Sequence, residues 1–213
     1  MEVAQVPPHR IVILGHSLGT AVTAAVVEHF AVQGIEFAGI VLLSGFAGLQ
    51  NLLSDFCLVG WLSPLRIFPP ALQYFKNRLR DTWPSTERIA NFIRVSKRVR
   101  LFIVHSLNDP EIRSHHADEL FDAAANATVD GALDIPQLEE IKQKNTIDMG
   151  DGAFIRTVAC NADSTDKIIR QDIIPYGCKR FNLWALLDKL LTLHRSQPGF
   201  NIQPSFISSS QSI

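Results

Sequence analysis

Between Arg10 and Gly34 the chain runs through a short apolar segment, Arg10-Ile-Val-Ile-Leu14, then Gly15-His-Ser-Leu-Gly19, then a stretch of small and apolar residues from Leu18 to Val32. The first segment is β-branched and too brief for a helix, the pattern of a strand buried on both faces. The last has a helix's length, with Gly34 beyond it as a stop. A chain that passes from a buried strand into a helix within five residues must turn sharply. Gly15 and Gly19 lack a Cβ, so the backbones on either side of such a turn can pass closely, while Ser17 at its apex is expected to adopt unfavourable dihedrals.

Phe37-Ala-Gly-Ile-Val-Leu-Leu43 reads as a second buried strand. Strand, helix and strand over some thirty residues predict a right-handed βαβ unit with parallel strands. Further on, Ser85 or Thr86 is expected to cap a helix through Val95, and Val99 to Val104 to form a third buried strand. Ser114 is expected to open a helix ending near Asn126. Strands are expected at 154–159 and 168–175, and an amphipathic helix at 181–194. The alternation places the chain in the α/β class. The expected layout is one domain over 1–195, containing a Leu-, Phe-, Trp- and Pro-rich lid-like segment at 46–84 and an exposed acidic insertion at 128–152. A disordered tail is expected at 196–213.

Composition narrows the function classes. An apolar fraction of 46% belongs to a chain with a core to bury, and a net charge of −1 gives no pull toward nucleic acid. Charge is uneven: Lys76 to Arg100 is basic and Asp109 to Asp151 acidic. Two solvated faces account for this, with a basic rim meeting anionic lipid as the alternative. Cys57, Cys160 and Cys178 show neither metal-type spacing nor an even count, which points to a reducing compartment. Met1-Glu2 opens no signal peptide, and the apolar tract 37–65 is broken by polar residues, Gly45 and Pro64. The expectation is a cytoplasmic or membrane-peripheral chain.

Gly15-His-Ser-Leu-Gly19 matches G-x-S-x-G, the nucleophile elbow, with a strand before it and a helix after it as that motif requires. Ser17 is the candidate nucleophile, and the Leu18 amide at the helix start would receive the oxyanion formed when Ser17 attacks a carbonyl. The competing reading, a glycine-rich nucleotide-binding turn, would need G-x-G-x-x-G or a P-loop lysine, and neither is present. Asp109, just past the third strand in Arg100-Leu-Phe-Ile-Val-His-Ser-Leu-Asn-Asp-Pro110, is the candidate triad acid that orients a histidine. The same residue also suits an Asx turn before Pro110.

The order RIVILGHSLGTAV, GIVLLSGFAGL, RLFIVHSLNDPEI and DELF resembles α/β-hydrolases of the serine monoacylglycerol and lysophospholipid lipase type, over residues 8–126. The resemblance implies a mostly parallel sheet with helices on both faces, no cofactor or metal, and a Ser–Asp–His triad in that order. It implies a small-molecule or lipid ester as substrate, with peripheral membrane contact as an added expectation. Trp61, Phe68 and Phe75 in the lid-like segment are candidate acyl-pocket residues, with core packing the equal alternative.

The chain departs from the family pattern in two ways. The match begins at the elbow strand, so the chain reads as a carboxyl-terminal portion without the first four strands, and its first strand is left with an edge open to pairing. Lys179 stands where relatives carry the triad histidine, and a protonated lysine is no base at neutral pH. His194 is a remote substitute, while His16, His115 and His116 read as structural. The sequence therefore leaves two expectations: a serine hydrolase of carboxylic esters with little activity in this form, or a non-catalytic fragment that binds a partner through its open edge.

Overall fold

A computed structural model describes residues 5–55, 82–129, 133–162 and 164–175, all within one compact unit, Met1–Cys178. In chain order the elements are β1 (Val12–His16), α1 (Leu18–Val32), β2 (Gly39–Leu43), α2 (Leu49–Asp55), α3 (Ser85–Val95) and β3 (Arg98–Ser106). They continue with α4 (His115–Asn126), α5 (Ile135–Lys144), β4 (Thr146–Gly150), β5 (Ala153–Ala162) and β6 (Thr165–Ile174).

The strands form one six-stranded sheet in the order β1-β2-β3-β6-β5-β4. β1, β2, β3 and β6 run parallel, and β5 and β4 continue the sheet antiparallel. This is the expected α/β class, with a mostly parallel sheet whose first strand leads into Ser17. Each parallel step moves the same way across the sheet, so right-handed crossovers place α1, α3 and α4 on one face. There Ala24, Val27, Ile40, Leu42, Ile89, Ile93, Leu101, Ile103, Leu120, Phe121 and Ile169 form the main core. β2 is buried along its whole length, as its unbroken apolar run predicts.

Local chemistry explains most boundaries. α1 occupies the expected span, and Gly34 beyond it has φ +74 and donates its N–H to the Ala31 carbonyl. That left-handed position is where a glycine ends a helix most readily. β1 starts two residues later than the apolar run suggests, because Pro8–Arg10 is wound into a 3₁₀ turn. The caps differ from expectation: α3 follows Pro84, and neither Pro84 nor Ser114 makes a side-chain cap hydrogen bond.

The acidic stretch 128–152 contains α5 and β4. Asp134 and Gln137 form a reciprocal capping box at the start of α5. The helix buries no residue and is tied to α4 by Lys142 Nζ, 3.2 Å from the Asp122 carboxylate. The excursion between β3 and β6 therefore builds an added sheet edge. The β6 register is held at its start by the Arg100 guanidinium, which donates to the Asp166 carboxylate and, at 3.0 Å, to the Asp166 carbonyl.

Among the described residues β1 pairs only with β2, so its other edge is open. No described helix is long and apolar enough to cross a membrane. Trp61, Phe68, Phe75, Lys179, His194, the expected helix at 181–194 and the tail at 196–213 lie outside the described residues.

Candidate active site

The carboxyl ends of β1 and β2 are level, and β3 runs two residues further. His16 is opposite Leu43 and Leu43 opposite Val104, so the loops leaving these strands emerge together at one edge of the sheet. In open α/β sheets this edge is where ligands bind.

Ser17 comes immediately after β1. Its φ of 51 and ψ of −121 lie in a region that side-chain-bearing residues rarely enter, at a cost of about 1–3 kcal/mol. Three contacts hold it there. Its N–H donates to the Leu43 carbonyl at 2.9 Å, and its carbonyl accepts from Thr20 N–H at 3.0 Å and from Thr20 Oγ1 at 2.6 Å. The backbone of Ser17 is thus committed on both sides, while its hydroxyl makes no cap hydrogen bond to α1. Leu18 opens α1, and its amide is among the first-turn N–H groups that have no intrahelical acceptor.

The two glycines of the motif play unequal parts. A Cβ on Gly15 would lie 2.6 Å from the Gly19 carbonyl oxygen and 2.6 Å from Thr23 Oγ1, so strand and helix touch there with no room to spare. A Cβ on Gly19 would meet nothing within 4 Å. The expectation that both glycines serve close backbone passage is corrected: the need lies at Gly15, where Gly19 supplies the backbone that is approached.

Asp109 stands in the loop after β3, at the same edge. Its Oδ1 accepts from Glu111 N–H at 2.9 Å and Ile112 N–H at 3.0 Å, so the Asx-type turn is formed. Only one carboxylate oxygen is used in this way. Oδ2 lies 3.8 Å from His105 Nε2, and the side chain is 13% exposed. Both readings of Asp109 therefore survive in one residue, because the turn fixes one oxygen and leaves the other to be approached.

His105, on β3, is a residue of this edge that the sequence does not single out. It is fully buried, and its Nε2 lies 2.7 Å from the Ile112 carbonyl, which can only accept, so Nε2 carries the proton. Burial lowers its pKa from the ordinary imidazole value, against the smaller opposing effects of that carbonyl and of Asp109. His105 and Asp109 thus hold Ile112 from both sides, one through its C=O and the other through its N–H. The Ile112 side chain packs with Ala21, Phe46 and Leu52 in a second apolar cluster at this end of the sheet. Burying side chains the size of Ile112 and Phe46 contributes about 1.5–3 kcal/mol each. The only signal in the sequence is the polar pair His105-Ser106 ending an apolar strand.

Ser44, directly after β2, is another non-glycine residue with positive φ, 45, and its N–H donates to the Val104 carbonyl at 2.9 Å. Only the neighbouring Gly45 hints at a special backbone there. Ser17 and Asp109 lie beyond strands that flank β2, so their strand axes are about 10 Å apart, two interstrand spacings. Among the described residues no hydrogen bond joins an imidazole to Ser17. His16 is exposed at the end of β1, and His115 and His116 begin α4.

No protein-family model matches this chain, and no curated protein matches it. Among solved structures, a Mycobacterium tuberculosis puromycin-hydrolyzing peptidase is similar at 17% identity with a TM-score of 0.39, over 59% of this chain and 18% of that one. The matched region thus spans less than a fifth of that protein's length, and at this score the likeness bears on neither fold nor chemistry.

Proposed function

We propose that this chain carries the nucleophile and acid of a serine hydrolase acting on carboxylic esters, of the lipid type found in monoacylglycerol and lysophospholipid lipases. The observation that supports it is the strained Ser17 backbone, held between β1 and α1 at the carboxyl edge of the sheet. Strain of this kind persists only where surrounding contacts over-determine it, and it concentrates at functional sites. Ser17 Oγ would attack the ester carbonyl, the Leu18 amide would receive the oxyanion, and Asp109 Oδ2 would orient a histidine between the two.

A fluorophosphonate probe tests this directly. The 213-residue protein is expected to be labelled at Ser17, and Ser17→Ala to abolish labelling. A folded protein that remains unlabelled at high probe concentration would refute the reading. A panel of monoacylglycerols, lysophospholipids, thioesters and peptides then separates lipid esterase from thioesterase or peptidase.

One observation favours a second reading, a binding partner without catalysis. β1 has an open edge among the described residues, and Leu14, Leu18 and Val22 near it are exposed. Unlabelled, folded protein that associates with another chain through that edge is the outcome this reading expects.

A further inference from the structure

The first turns of α4 bring together a second group of chemistry-bearing side chains, apart from Ser17 and Asp109. His115, His116 and Glu119 each offer a ligand atom, and these atoms all lie within 4.8 Å of one another. Helix geometry explains the grouping: at 100° per residue, Glu119 projects between the directions of His115 and His116. We propose that these three side chains bind a divalent transition-metal ion of the zinc type.

The donor set selects the ion. Two imidazoles and one carboxylate suit zinc, cobalt or nickel, whereas magnesium and calcium favour oxygen alone. Zinc bonds of about 2.0–2.1 Å in tetrahedral geometry place ligand atoms roughly 3.4 Å apart, so the trio must close by about 1.4 Å at its widest. His115 and Glu119, whose side chains are 43% and 42% exposed, would make this adjustment, and buried His116 would be the inner ligand. The carboxylate is already oriented. Asn51 Nδ2, from α2, donates to Glu119 Oε2 at 3.0 Å, and Glu119 Oε1 faces His115 Nε2 at 3.9 Å. Such outer partners turn a ligand toward its metal and raise affinity. The positive end of the α4 dipole opposes a cation here, which makes the negative charge of Glu119 the indispensable part of the set. A bound ion would also clamp α4 to α2 through Asn51.

The test uses the whole protein, stripped with chelator and titrated with zinc chloride by calorimetry, with cobalt(II) absorption reporting coordination geometry. One equivalent is expected to bind with a Kd of about 10 μM or tighter. His115→Ala and Glu119→Gln, both at exposed positions, are each expected to weaken binding by about tenfold or more, with Asn51→Ala weakening it less. No saturable binding up to about 1 mM, or an affinity unchanged in both variants, would overturn the assignment. Neither outcome depends on whether Ser17 reacts.

Discussion

Replacing Gly15 by alanine puts a methyl group where the structure has no space. Its Cβ would stand 2.6 Å from the Gly19 carbonyl oxygen and 2.8 Å from the Gly19 carbonyl carbon, against an ordinary contact that begins at 3.4 Å. Those neighbours are backbone atoms in the first turn of α1, so they yield only if the helix moves. Thr23 Oγ1, also 2.6 Å away, is a side-chain atom and can be removed. Overpacking of this kind costs about 1–3 kcal/mol. Lost unfolded-state entropy returns about 0.4–1 kcal/mol, since glycine to alanine restricts the denatured chain. The net expectation is a destabilisation of about 1–2 kcal/mol, or a fall in Tm of roughly 2–8 °C for a domain of this size. Gly19→Ala should move the other way, gaining about 0.4–1 kcal/mol because the added methyl meets nothing and alanine restricts the unfolded chain. Thermal and urea unfolding of both variants measures the pair. Adding Thr23→Ala to Gly15→Ala should recover only part of the loss, because the backbone contacts remain. If Gly15→Ala matched wild type, or if both variants shifted in the same direction, the close approach of strand and helix would not be the constraint at this turn.

Three further substitutions separate structure from chemistry around the β3 loop. Asp109→Ala removes the acceptor of two backbone N–H groups and should cost about 1–3 kcal/mol of stability. Asp109→Asn keeps an acceptor and should unfold near wild type while reacting more slowly with fluorophosphonate; equal labelling rates would leave Asp109 a turn residue only. His105 has a pKa lowered by burial, so the unfolded state takes up its proton first as the solution is acidified. The stability it supports is therefore present above the ordinary imidazole value near 6.5 and is lost as pH falls below that value toward the depressed native one. His105→Gln should flatten that part of the stability–pH curve, and an unchanged slope in urea melts across the window would argue against the assignment.

Much of the sheet is legible in the sequence alone because β2, β3 and α1 carry strong patterns. Val41 and Leu42, buried on opposite faces, come from an unbroken apolar run, and α1 is bounded by a turn at one end and Gly34 at the other. The site is legible where a motif dictates backbone geometry, as at Ser17. It is less legible where tertiary contacts decide. Nothing local marks the grip of His105 on Ile112 across the loop, since it depends on where β3 ends and how that loop folds back. Equally, α5 and β4 are polar elements that bury little, so periodicity has no apolar face to report, although the Asp134–Gln137 capping box is present in the sequence. The unequal roles of Gly15 and Gly19 are also hidden, because identical residues in one motif differ only in what lies opposite them.

The antiparallel meander formed by β4, β5 and β6 bears on how the chain reaches its native state. Its strands are joined through short connections, so Thr146 finds Arg156 and Ala162 finds Thr165 with little loop to close. β6 must also find β3, and there Arg98 meets Asp166 across α4, α5 and two intervening strands. Short-range hairpins form in microseconds, whereas distant parallel pairing waits on a larger loss of chain entropy. The meander is thus positioned to assemble early and present β6 as a ready template for β3, with the β3–β6 seam closing late.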